Sequence, residues 1–86
     1  MKLSLSEKTE AQMLLEAGAT NEHLVSMLEG VAITLQGLKQ GPEGWTVAPG
    51  VRHIIRGVEP ALAAARLEKS ARVLRLACAA RRIEVL

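Results

Sequence analysis

Leu24-Val25-Ser26-Met27-Leu28-Glu29-Gly30-Val31-Ala32-Ile33-Thr34-Leu35-Gln36-Gly37-Leu38 is the stretch whose reading decides the fold. Leu24, Leu28, Val31, Leu35 and Leu38 recur at spacings of four, three, four and three. That is the repeat of a helix with one narrow apolar stripe, and two heptads of it suit one helix of a bundle. Thr20 or Asn21 is placed to cap this helix, and Glu22 suits its positive end. A second face carries Ser26, Gly30, Thr34 and Gly37. Glycine inside a helix costs about 1 kcal/mol relative to alanine. Two of them on one small-residue face imply that another backbone approaches closely there.

Outward from this helix the signals remain helical. Ser4 and Glu7 have the spacing of a capping box, which predicts a helix from about Leu5 to Ala17 with Ala11, Leu14 and Leu15 on one side and Gly18 at its end. Downstream, Gly41-Pro42-Glu43-Gly44-Trp45-Thr46-Val47-Ala48-Pro49-Gly50 concentrates turn formers and reads as a Gly/Pro-rich connector over 41–50. Trp45 within it either folds back over the core or is held out for a partner. A short helix is predicted over Val51–Val58, with Ile54, Ile55 and Val58 inward. Pro60 disfavours a helical Glu59, so the chain breaks or kinks there before a last helix from about Pro60 to Arg82.

Composition agrees. The 86-residue chain is 49% hydrophobic, but it holds no Phe or Tyr and one aromatic residue, Trp45; Ala and Leu dominate. All nine acidic residues are Glu, which tolerates helix interiors where Asp prefers caps. The predicted fold is all-α: one domain over residues 1–86, a small bundle of three to four helices.

The last helix points to function. Leu62, Val73, Leu76 and Ile83 lie on one side of it, while Leu67, Ala71, Leu74 and Cys78 lie well round from them. Glu68, Arg72, Arg75 and Arg82 form its polar stripe. A helix apolar on most of its circumference is central in a bundle or covered by a second chain. The expected interaction residues are therefore Leu62, Val73, Leu76 and Ile83, the basic Arg72, Arg75 and Arg82, and Trp45. The expected partner is a second copy, giving a homodimer, or another helical protein.

Charge adds a second reading. Residues 1–48 carry a net −3 and residues 49–86 a net +5. A basic half can meet nucleic acid, an acidic partner or the acidic half of another copy. Residues 14–38 echo a helix-turn-helix, yet the would-be reading helix offers Ala32, Thr34, Gln36 and Lys39, with few groups for bases or phosphates. DNA or RNA binding is thus the alternative to a protein-interaction module or regulator.

Catalysis finds no support in the sequence. His23 and His53 stand thirty residues apart, and neither has a partner at metal-ligand spacing, so no metal site and no cofactor is expected. Cys78 sits among Ala77, Ala79 and Ala80 near a helix C-terminus, where a cysteine behaves as a small hydrophobe. Gly41-x-x-Gly44 lacks the Lys-Ser/Thr ending of a phosphate loop. The opening Met1-Lys2-Leu3-Ser4 lacks the apolar core of a signal peptide, and no apolar run approaches the ~20 residues of a membrane span. A cytoplasmic setting, with no membrane or small-molecule partner, is expected.

Overall fold

Ser6 is the residue that starts the first helix. Its Oγ accepts from the Thr9 backbone N–H at 3.1 Å, and α1 runs Glu7–Glu16. Ser4, the expected cap, lies outside the residues that the computed structural model describes, which are 6–84. Glu7 and Glu10 occupy the first turn, where the helix dipole favours negative charge. Gly18 ends the helix at φ +91°, with Gly18 N–H donating to Leu15 O and Ala19 N–H to Leu14 O. Glycine takes that left-handed geometry without steric cost.

Thr20 caps α2 (Asn21–Gln36) by accepting from His23 N–H at 3.1 Å. The helix stops two residues short of the predicted seam, so Leu38 leaves it and opens strand β1 (Leu38–Gly41). Strand β2 (Gly44–Val47) returns antiparallel, pairing Leu38 with Val47, Lys39 with Thr46, Gln40 with Trp45 and Gly41 with Gly44. The connector expected over 41–50 is therefore mostly structured, and the all-α expectation is corrected to a mostly helical fold with one hairpin. Pro42 presets the first turn angle and Gly44 takes φ +110° to close it. A lone hairpin is marginal in water. This one is held by laying Leu38, Trp45 and Val47 on a core.

Helix α3 covers Pro49–Ile55, with Pro49 in its first turn. Val51 is buried and Ile55 packs beside it, but Ile54, expected inward, is 61% exposed. The helix ends in a left-handed Arg56 and Gly57. Val58, predicted helical, lies beyond that end and still packs on the core. The chain breaks before Pro60, which begins α4 (Pro60–Ala80). Glu59 is extended, as a residue before proline prefers. At the far end Arg82 N–H donates to Ala79 O and Ile83 N–H to Cys78 O, with Arg82 at φ +57°. That pair of bonds is a Schellman ending. Arg82 is consequently outside the helix and off its polar stripe.

Two apolar clusters lie along α4. The first joins Ala11 of α1 and Leu24 and Leu28 of α2 to Ala71, Val73, Leu74, Ala77 and Cys78. The second joins Leu38, Val51, Ala63 and Ala64, with Leu35, Trp45, Val47, Ile55, Val58 and Leu67 packed against them. The greasy helix is thus the central one, and α1, α2, the hairpin and α3 wrap much of it. Small residues on α4 (Ala63, Ala64, Ala71, Ala77) let its neighbours approach, which is how a chain with one aromatic residue closes a core.

The small-residue face of α2 divides. Gly30 is exposed, and a Cβ built there meets nothing within 4 Å among the described residues, so no backbone of theirs approaches it. Gly37 is the close approach. A Cβ there would strike Val51 Cγ2 and stand 3.2 Å from Ala48 Cβ. Thr34 between them is buried and satisfies its hydroxyl on Gly30 O at 2.8 Å.

Candidate functional site

On α4, Leu62, Arg66, Lys69, Val73 and Leu76 fall at spacings of four, three, four and three, so they share one face. Leu62 and Leu76 are 46% and 40% exposed at its two ends. Val73 is only 7% exposed and belongs to the first apolar cluster. Ile83 is half-buried against that same cluster. Of the expected apolar surface, then, Leu62 and Leu76 are outward, while Val73 and Ile83 serve the chain's own packing.

Between Leu62 and Leu76 the three long helices leave a groove. Glu10 and Leu14 of α1, Met27 and Val31 of α2, and Arg66, Lys69, Ser70, Val73 and Leu74 of α4 line a cavity of about 480 Å³. Its cause is length. The ten residues of α1 span ~15 Å and the twenty-one of α4 span ~31 Å. Glu7 and Glu10 of α1 meet Arg72 and Lys69, and Ala11 joins the cluster around Ala71 and Leu74. The α4 surface from Lys69 back toward Arg66 is left unroofed, with α2 as the far wall. The floor is apolar and the rim polar. Among the described residues no carboxylate lies within 4.0 Å of the Arg66 guanidinium. No protein-family model, curated protein or solved structure matches this chain. Its site is therefore read from its own geometry.

The basic residues are partly committed inside the chain. Arg72 Nε donates to both carboxylate oxygens of Glu7 at 3.0 Å. Lys69 Nζ lies 3.1 Å from Glu10 Oε2, an ion pair without the alignment of a hydrogen bond on an oxygen shielded from solvent. Arg81 donates to Ala19 O and to Asn21 Oδ1, tying the end of α4 to the α1–α2 connection. The acidic N-terminal half meets the basic C-terminal half within one molecule. Arg75 and Arg82 are exposed. Trp45 folds back, half-buried, against the second cluster.

The hydrogen bond from Arg72 holds the Glu7 carboxyl below its ordinary value, and Arg72 itself is raised by the same bond. A depressed carboxylate stabilises the folded state above its unfolded pKa, and that contribution is lost as pH falls through the folded value. Arg72 is exposed and Glu7 only half-buried, so solvent screens the pair and the effect on stability is small. Arg72→Ala is expected to move the Glu7 titration upward toward an ordinary glutamate, followed by carboxyl NMR shifts. An unmoved titration would mean that the pair does not persist in solution.

Among the described residues no cluster of three His, Cys, Asp or Glu side chains converges. Burial pushes the Cys78 thiol up, away from the thiolate that nucleophilic chemistry needs. No helix of the described residues is long and apolar enough to cross a membrane. Sequence reasoning found α4 and missed Leu14, Met27, Val31, Arg66, Lys69 and Ser70. The spacing of Arg66 and Lys69 between Leu62 and Val73 was a usable signal. The contribution of α1 and α2 was not, because it depends on how the helices cross.

Proposed function

We propose that this chain is a small protein-interaction module of the cytoplasm, acting by binding rather than catalysis, with the groove between α1, α2 and α4 as its docking surface. The observation that carries the reading is an open trough with an apolar floor (Leu14, Met27, Val31, Val73, Leu74) and a polar rim, continued along α4 by exposed Leu62. Grooves of that form receive the apolar face of an amphipathic helix. Nucleic-acid binding is favoured less, because Lys69 and Arg72 already face carboxylates that would oppose phosphate.

Ser70 is exposed on the groove and suits a blocking substitution. Ser70→Trp is expected to shift unfolding by less than about 0.5 kcal/mol, as exposed changes do, while removing partners that the wild-type chain retains from its host extract. Retention of the same partners by a folded Ser70→Trp chain would show that they dock elsewhere.

A further inference from the structure

Resting on the groove as docking surface, we infer that its occupant is an amphipathic helix that carries carboxylates along the edge facing Arg66, and not a second copy of this chain. The trough is open rather than enclosed, and three helices form it, so its shape suits an elongated apolar ridge rather than a small molecule sealed from water. Its rim selects by charge. Among the residues lining the groove Arg66 and Lys69 stand against Glu10, leaving one positive charge in excess, and Arg66 is the member without a carboxylate among the described residues. Ser70 lies one turn beyond Arg66 on the same groove wall, where its hydroxyl can donate to the acceptor that Arg66 holds.

A two-fold pairing of α4 with itself tests this choice. Setting Leu62 of one copy against Leu76 of the other, antiparallel, centres the pair on Lys69. Lys69 then faces its own counterpart, and Arg66 faces Arg72. The apolar ends match, but each copy brings its excess positive charge to the same place. An acidic helix cancels that charge while filling the same floor.

The probes are two fluorescein-labelled 14-residue synthetic helices with leucines spaced three and four apart. One carries Glu beside the leucines and its twin carries Lys there. In fluorescence anisotropy at low salt the wild-type chain is expected to bind the Glu helix at least about fivefold tighter than the Lys helix, the scale of one or two exposed ion pairs. Arg66→Glu is expected to reverse the preference, and Ser70→Trp to abolish both. Equal binding of the two helices, or an unchanged preference in Arg66→Glu, would overturn the acidic partner. If Ser70→Trp also blocks that equal binding, the groove stands as a docking surface. Binding untouched by Ser70→Trp, or no binding of either helix, would overturn both readings. Light scattering supplies the remaining arm: a wild-type dimer made monomeric by Ser70→Trp would show that a second copy fills the groove.

Discussion

Leu24→Ala is expected to destabilise the chain by about 2–5 kcal/mol, the range for truncating a buried leucine. Leu24 is 0% exposed and sits where α1, α2 and α4 meet in the first cluster. Its neighbours Leu28, Val73 and Leu74 are themselves buried, so the space it leaves is closed only by repacking the cluster. A small domain holds on the order of 5–10 kcal/mol in total, so this one change removes a large share of it. Urea unfolding followed by helical circular dichroism is expected to show the midpoint fall in the order Leu24→Ala, Leu28→Ala, Leu35→Ala. Leu28 is buried in the same cluster, whereas Leu35 is half-buried on the edge of the second. A Leu35→Ala loss as large as that of Leu24→Ala would contradict a core divided into two clusters.

The second large effect distinguishes two glycines of one helix face. Gly37→Ala is expected to cost about 1–3 kcal/mol, as overpacking does. The backbone at Gly37, φ −86° and ψ 1°, is open to any residue, so the penalty is steric. The new methyl meets Val51 Cγ2 and lies 3.2 Å from Ala48 Cβ and 3.3 Å from Val51 Cβ. Valine is stiff at χ1 and cannot swing clear. Gly30→Ala, in open space seven residues earlier, is expected to stabilise by about 0.5–1 kcal/mol through helix propensity alone. Thermal melts of the two variants should move in opposite directions. A neutral Gly37→Ala would mean that the α2 end and α3 are not packed as closely as the structure places them.

Local signals reach about one helical turn, and what depends on one turn was legible. Gly18 ends α1 and Leu24 and Leu28 face inward as read, while the cap of α2 is legible only as Thr20 or Asn21 and the interruption at Pro60 only as a break or a kink, each because a cap, a left-handed turn or a 3.6-residue period involves near neighbours. Leu38 marks the limit. Its spacing from Leu35 suits a helix, yet it is the first residue of a strand, since α2 gives way at Gly37 to let α3 approach. Trp45-Thr46-Val47 alternates as a strand should, but four residues among Gly and Pro carry too little strand preference to outweigh the turn signals. The hairpin exists because a core some residues away in sequence receives Leu38, Trp45 and Val47. The candidate groove divides the same way. Leu62 and Leu76 on one face of α4 follow from helical period alone. That Val73 is buried while Arg66 has no carboxylate partner among the described residues, and that Arg72 and Lys69 answer to Glu7 and Glu10 some sixty residues earlier, follows from the crossing of α1 over α4. Residue spacing sets which side chains share a face, and only the packing of one face against another decides which of them are buried, which are paired and which remain for a partner.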